Sequence, residues 1–316
     1  MPNNLNVLLV GPGNIGLDYA KVLKSFDINL NVVGRSINSS KNFYEKTGIR
    51  VDSRGLENYI KDNPEPPEYA IVAVNENQLC NSTLSLIHYG VKNILVEKPG
   101  GLNHQELRRI ATAGINTNIY IGYNRRFYQS VKKCREFIKD TNKPVHTTFE
   151  FTEWVHDIDF NHYTKEELKR FFLCNSSHVV DLAFHLIGTP AYLDSNTAGG
   201  LDWHPSAAIF SGSGKTVKNN LFTYNANWIS AGRWGIEITL EDYKLILKPL
   251  EKLYIQKKGS LDLEEVKLDK IDTDYKAGLY SQIKSFFEKD TKYLCSIEEQ
   301  CNNFYLYYKI ANYEDL

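Results

Sequence analysis

Short apolar runs separated by segments of helical period fill the first third of the chain. Residues 7–10 read Val-Leu-Leu-Val, and similar runs recur at 30–33, 71–74, 94–96 and 119–121. Runs of this length and composition predict buried strands. Between them, residues 18–23, 78–89 and 105–113 place apolar side chains at helical spacing. Strand and helix therefore alternate, which predicts a doubly wound parallel sheet. Pro64-Glu65-Pro66-Pro67 reads as a loop before the strand at 71, because proline neither donates to a ladder nor continues a helix. After Arg126 the pattern changes. A helix over 127–139 precedes an alternating strand at 145–151, and short strands follow at 207–210, 217–224, 235–240, 243–247 and 253–256, with turn residues between them. Helices over 279–287 and 297–308 close the chain. The fold class predicted is α/β, with a doubly wound N-terminal domain over 1–122 and a C-terminal α/β domain over 123–316 whose open sheet is largely antiparallel.

The first strand runs straight into Gly11-Pro12-Gly13-Asn14-Ile15-Gly16, the G-x-G-x-x-G spacing of a strand-to-helix turn. In such a turn the first glycine permits the tight bend, the second lets a pyrophosphate approach the backbone, and the third lets helix and strand pack closely. The new helix then offers free N–H groups and a positive end to the anion. The N-terminal domain is thus expected to be a Rossmann domain, with Gly11, Gly13, Asn14, Ile15 and Gly16 as cofactor-binding positions. At the end of the second strand, where an acid would accept bonds from an adenosine ribose, the chain has Val33-Gly34-Arg35-Ser36. Arg35 and Ser36 suit a 2′-phosphate, so NADP is favoured; if Arg35 only stacks on adenine or lies in solvent, NAD stays possible.

Composition narrows the partners. With 316 residues and 42% hydrophobic content the chain can bury a core large enough for two domains. A formal net charge of −1 gives no electrostatic case for nucleic acid or an anionic membrane. The start has neither a basic nor an apolar leader region, and no run approaches the roughly 18 apolar residues of a span, so a soluble, cytoplasmic protein is expected. Cys80, Cys134, Cys174, Cys295 and Cys301 are widely spaced and form no C-x-x-C pair, which suits reduced thiols and suggests no metal site. Gly212-Ser213-Gly214-Lys215-Thr216 ends like a phosphate loop, but Ile209 stands where the first glycine belongs, and the segment reads as a hairpin turn.

Three later motifs carry candidate chemistry. Glu97-Lys98-Pro99 follows a buried strand and so lies at the carboxyl edge of the sheet, where doubly wound folds hold ligands. There Lys98 can bond a substrate hydroxyl while Glu97 neutralises it or tunes its pKa, and the following proline is expected to expose Lys98. The other reading of these three residues is an ordinary surface turn. In Ser177-His178-Val179-Val180-Asp181-Leu182-Ala183-Phe184-His185, spacings of three and four put His178, Asp181 and His185 on one face of an apolar helix that Asn175, Ser176 or Ser177 can cap. That stripe is either a satisfied internal Asp–His pair or a catalytic one, with His185 as general base and Asp181 orienting it and raising its pKa. In Asn124-Arg125-Arg126-Phe127, Arg125 and Arg126 can bind a substrate carboxylate, phosphate or hydroxyls, or pair with acids, and only one is expected to face the substrate. Trp154 and Tyr163, near the end of the first C-terminal strand, suit the faces of a sugar.

Together, the glycine turn, Glu97-Lys98-Pro99, Asn124-Arg125-Arg126-Phe127 and Asp181-x-x-x-His185 make the chain resemble the Gfo/Idh/MocA oxidoreductases over nearly its whole length. The resemblance implies that Lys98 is the catalytic lysine and that Asp181 and His185 are the active-site pair. It also implies an NAD(P)-dependent oxidoreductase moving hydride to or from a ring carbon of a sugar, cyclitol or nucleotide sugar, without metal. A homodimer or homotetramer formed through the C-terminal sheet is implied as well. Where many relatives carry Thr-Pro and then histidine, this chain has Val74-Asn75-Glu76-Asn77-Gln78-Leu79, leaving Asn75 to reach the ribose or nicotinamide. The segments 232–237 and 247–253 resemble a subgroup associated with bacterial surface-polysaccharide sugars. Two other outcomes on the same fold are a non-catalytic nucleotide-dependent sensor and a redox-assisted hydrolase or lyase with no net cofactor turnover.

Overall fold

The computed structural model describes residues 5–139, 141 and 143–314. The first four residues, on which the expectation about a leader partly rests, lie outside them. The opening apolar run is β1 (Leu5–Val10). After it come α1 (Asn14–Leu23), β2 (Ile28–Val33), α2 (Ile37–Thr47), β3 (Val51–Asp52), α3 (Leu56–Asp62), β4 (Tyr69–Val72), α4 (Glu76–Tyr89), β5 (Asn93–Val96), α5 (His104–Ala113) and β6 (Asn118–Ile121). The chain continues through α6 (Gln129–Lys139), β7 (His146–Glu150), α7 (Lys165–Lys169), α8 (Ser177–Ile187), β8 (Pro190–Ala198), β9 (Ile209–Thr216), β10 (Leu221–Asn227), β11 (Gly235–Thr239) and β12 (Tyr243–Leu247). It ends with β13 (Tyr254–Lys257), β14 (Leu263–Glu265), α9 (Ile271–Asp274), α10 (Leu279–Glu288), β15 (Cys295–Ser296) and α11 (Ile297–Ala311). No helix among the described residues is long and apolar enough to cross a membrane.

The chain divides into two units, Met1–Asn124 with Thr273–Asn302, and Arg125–Asp272 with Asn303–Leu316. The first unit is built on a sheet of order β15-β6-β5-β4-β1-β2-β3, parallel except for β15. The order reverses between β1 and β4, and such a switch opens a crevice at the carboxyl ends of the strands. The predicted boundary at 122/123 needs correction, because Thr273–Asn302 groups with the first unit. Aromatic packing explains why. Phe286 and Phe287 of α10 meet Tyr69 edge-on at 5.2 and 5.1 Å, and Tyr280 stacks on Phe26 at 5.4 Å. The pairing Cys295↔Ile121 then adds β15 to the sheet edge.

The second unit is an eight-stranded sheet of order β14-β13-β12-β11-β7-β10-β9-β8. Its pairs are antiparallel except β7 with β10, where His146 faces Leu221. Burial alternates strictly along β10, so Phe222 and Tyr224 face inward while Leu221 and Thr223 face out. On the inner face, Phe184 of α8 sits 5.6 Å from Phe149 and 5.1 Å from Phe222, which fixes α8 against the sheet.

Beyond the short strands β3, β14 and β15, which the sequence reading also lacked, two longer strands depart from it. β8 was not expected, since its polar alternation carries little apolar signal. The glycine segment read as a hairpin turn lies inside β9. Across the ladder Gly212 faces Tyr224 and Gly214 faces Phe222, and a Cβ built at these glycines would stand 2.3 and 2.6 Å from the opposing rings. Glycine is there to admit an aromatic side chain lying over the strand. Gly212→Ala is therefore expected to destabilise the protein by about 1–3 kcal/mol through overpacking. Urea unfolding measures this, and an unchanged midpoint would mean that Tyr224 does not cover the strand.

Candidate functional site

The glycines after β1 serve three different needs. Gly11 has φ +111°, and a Cβ there would lie 2.2 Å from the Ala73 carbonyl oxygen. At Gly16 a Cβ would meet the Gly11 carbonyl oxygen at 2.1 Å, so α1 can pack on the turn only without a side chain. Gly13 faces open space within 4 Å and is the N-cap of α1 with no side-chain cap, leaving the first-turn N–H groups of a helix beginning at Asn14 and Ile15 available to an anion. The cavity beside this turn, of about 700 Å³, is bordered by Gly11, Gly13, Arg35, Ser36, Arg54 and Asn75 among others. The structure thus brings Gly11, Gly13, Arg35, Ser36 and Asn75, all selected from the sequence, to one cavity of the first unit, whose border does not include Asn14, Ile15, Gly16, Glu97 or Lys98, and its open glycine cradle fits a dinucleotide.

The ribose-reading end is cationic. Arg35 Nη2 donates to Gln78 Oε1, while Ser36 Oγ accepts from Ser39 N at 3.2 Å and so caps α2. Asp52 is paired in register with Val33, but Arg54 holds its carboxylate at 2.7 Å and keeps its pKa below the ordinary range. Arg54 was missed in the sequence because a lone arginine before a helix has no pattern.

Glu97 and Lys98 follow β5 at the same carboxyl edge of the sheet as Gly11 after β1. The expected exposure of Lys98 is not found. Its side chain is 14% exposed, with Nζ 3.9 Å from Glu76 Oε1. Glu97 is buried and accepts from Tyr19 Oη at 2.6 Å; burial raises its carboxyl, against that bond and the nearby Lys98 charge. Glu76 therefore supplies the ion pair expected of Glu97. Gln300 pins the loop by donating to Pro99 O at 2.8 Å and Tyr123 Oη at 3.1 Å.

In the second unit a π-helical turn, Phe172–Ser176, leads directly into α8. No cap is needed there, and the three capping candidates are used otherwise. Asn175 and Ser176 donate to Glu153 at 2.9 and 2.5 Å, and Ser177 Oγ donates to Leu173 O at 2.8 Å. The apolar faces of α8 are buried, and Gly188 with φ +102° ends it.

The polar stripe on α8 is buried at His178 and Asp181 and half-buried at His185, and it is wired differently from the expected Asp–His pair. Arg126 forks onto Asp181, Nε to Oδ2 at 2.8 Å and Nη2 to Oδ1 at 2.6 Å, with side-chain exposures of 2% and 1%. Arg135 donates to Arg126 O at 2.6 Å, and its Nη1 lies 3.3 Å from His185 Nε2. A guanidinium only donates, so this contact assigns Nε2 as acceptor and leaves the proton of the neutral ring on Nδ1. Burial lowers the His185 pKa well below the ordinary histidine range, and Arg126, Arg135 and Lys218 lower it further. The expectation that Asp181 raises this pKa is thus corrected: Arg126 draws on the carboxylate while three cations face the imidazole. Arg135 escaped the sequence reading because one basic residue on an amphipathic helix looks like solvent-facing charge.

Of the adjacent arginines, Arg126 is committed to Asp181, whereas the Arg125 guanidinium stands 4.8 Å over the Trp234 ring. Trp154 donates to Gly232 O at 2.8 Å and carries Arg233 over its ring, while Tyr163 packs edge-on against Phe171. These two candidates therefore sit in different packing environments. His178 is buried, its ring 6.2 Å from Trp234. No group of three or more His, Cys, Asp or Glu among the described residues could hold a metal ion.

Residues 5–120 match the profile of GFO_IDH_MocA, the oxidoreductase family with an NAD-binding Rossmann fold. No curated protein sequence matches significantly. Among solved structures, an oxidoreductase from Agrobacterium radiobacter in complex with NAD+, L-tartaric acid and magnesium is similar at 12% identity and TM-score 0.77, over 98% of this chain and 97% of that one. UDP-N-acetylglucosamine 3-dehydrogenase GnnA from Acidithiobacillus ferrooxidans matches at 12% identity and TM-score 0.75, over 98% of each chain. A levoglucosan dehydrogenase in complex with NADH matches at 13% identity and TM-score 0.76, over 98% and 96%. At such identities the likeness is one of fold alone.

Two outcomes test the wiring around α8. Asp181→Ala leaves Arg126 buried and uncompensated, and is expected to cost about 3–5 kcal/mol in chemical unfolding. Because His185 is held neutral when folded, it contributes stability at neutral pH that is lost as pH falls below the unfolded value of about 6.5. Arg135→Met should move the His185 titration, followed by NMR of the ring protons, upward toward the ordinary range. An unmoved titration would show that Arg135 does not control the ring.

Proposed function

We propose that this chain, whose residues 5–120 match the Gfo/Idh/MocA oxidoreductase profile, belongs with that family as a whole and is an NAD(P)-dependent dehydrogenase or reductase acting at a CH–OH carbon of a sugar-like substrate. One observation carries this reading: the open Gly13 cradle, at the switch point between β1 and β4, and the Lys98 amine, after β5, lie at the same carboxyl edge of one parallel sheet. The backbone of Gly13, Asn14, Ile15 and Gly16 would hold the pyrophosphate, and Arg35, Ser36 and Asn75 the remainder of the dinucleotide. NADP is preferred in this reading, because the cavity's ribose end presents Arg35 and the nearest strand-end carboxylate, Asp52, is already held by Arg54. Bound nicotinamide supplies or accepts the hydride. Lys98 polarises the substrate oxygen and takes or returns its proton. His185, kept neutral, serves as an Nδ1–H donor to a substrate oxygen in place of the expected base. The solvent face of the second unit's sheet, with Tyr192 and Leu221 exposed, suits subunit association.

Reduced-cofactor fluorescence, followed over a panel of free sugars, sugar acids and nucleotide sugars, tests the activity. Cofactor turnover proportional to product is expected, and product without cofactor change would reject the dehydrogenase reading. Lys98→Ala should lower kcat by about 10²- to 10⁴-fold. Arg35→Asp should weaken NADP binding while sparing NAD, and equal affinity of the unmodified protein for the two would remove the proposed preference.

A further inference from the structure

The second unit holds a charged aromatic cluster that the proposed hydride transfer does not use. Trp234, 6% exposed, has two guanidinium groups over its ring, Arg125 at 4.8 Å and Arg233 at 4.7 Å from the centroid. Arg233 also stands 4.6 Å from the ring centroid of Trp154, whose Nε1 is tied to Gly232 O at 2.8 Å. Sharing one indole, the two guanidinium carbons are separated by no more than about 9.5 Å. Each is held in place by an aromatic surface, so little side-chain freedom remains to be lost when a ligand arrives.

What Arg125 lacks is an acceptor, and what Arg233 lacks is a fully charged one. Among the described residues the Arg125 side chain makes no ion pair or hydrogen bond, and its Nε is buried without a partner. The residue is half-buried, and a buried Nε–H left without a partner is costly unless an acceptor completes it. Arg233 lies 3.6 Å from Glu153 Oε2, but that carboxyl already accepts from Ser176 and Asn175. Burial pushes the Glu153 carboxyl up to about 7, so near neutrality it only partly offsets the Arg233 charge.

We propose that Arg125 and Arg233, seated on Trp234, form an oxyanion subsite that binds the phosphate or carboxylate of an acidic sugar substrate. The proposal rests on the dehydrogenase reading above and narrows its substrate class. Planar guanidinium forks suit both chemistries, since each can give two parallel hydrogen bonds to a phosphate or carboxylate. Arg126 is not part of it, being fully engaged by Asp181.

The test is calorimetric binding to the full-length protein saturated with NADH, using UDP, D-glucuronate and D-glucose as probes. UDP or D-glucuronate should bind, while D-glucose shows no arginine-dependent binding. Arg125→Met and Arg233→Met should each weaken the bound anion at least tenfold, Arg125→Lys and Arg233→Lys at least threefold, all without altering NADH affinity. The lysine pair decides the matter if a methionine variant does not fold. Binding of UDP alone identifies the subsite with phosphate, and of D-glucuronate alone with carboxylate. If neither anion binds, or if both substitutions leave binding unchanged, the subsite is refuted. The two readings fail separately: turnover of neutral sugars with no anion binding rejects the subsite, and arginine-dependent anion binding with no cofactor turnover on any sugar rejects the dehydrogenase.

Discussion

In the second unit, the chemistry of α8 follows from the buried fork between Arg126 and Asp181. Both side chains are almost fully removed from water, and each charge would be strongly penalised without the other. Their geometry meets that need, with two short parallel bonds between a planar donor and a planar acceptor. Since Arg126 claims Asp181, the carboxylate does little to favour the protonated form of a histidine one helical turn away. His185 then experiences burial, Arg126, Arg135 and Lys218, all of which favour its neutral form. One ion pair thereby turns a helix that reads as an acid–base pair into one that displays a neutral imidazole.

The first unit depends on a constraint of space instead of charge. Its central parallel strands β1, β4 and β5 are largely buried on both faces, and helices can return to the sheet only if the turn after β1 is very tight. Gly11 and Gly16 meet that demand at distances no side chain would tolerate, whereas Gly13 meets no such contact and leaves room for a ligand. The same three letters therefore include two packing glycines and one that opens a site.

The alternation of strand and helix was legible from the apolar periodicity, because a parallel sheet's strands are apolar on both faces and stand out against amphipathic helices. The glycine turn, Lys98 and the α8 stripe were legible for a similar reason, each being a local pattern. What escaped was non-local. Thr273–Asn302 joins the first unit through Tyr69, Phe26 and β6, residues far away in the chain. β9 was misread because glycines that look like a turn are there for Tyr224 and Phe222 on the neighbouring strand. Which of Arg125 and Arg126 would be buried was also undetermined, since the deciding partner, Asp181, lies 55 positions on.

A net charge of −1 for the whole chain conceals a local surplus of positive charge. The contacts and charge interactions around α8 and Trp234 involve Arg125, Arg126, Arg135, Lys218 and Arg233, and the carboxyls taking part are Asp181, already held by Arg126, Glu150, which accepts from Arg233 N and pairs with Lys248, and Glu153, partly protonated near neutrality. Charge imbalance of this kind is costly in a partly dehydrated environment, and a protein that keeps it gains by binding an anion there. Composition gave no electrostatic case for a nucleic-acid partner, because that needs an extended basic surface. It had no bearing on a small acidic ligand, because two arginines held on one tryptophan are enough to create that site and too few to move the total.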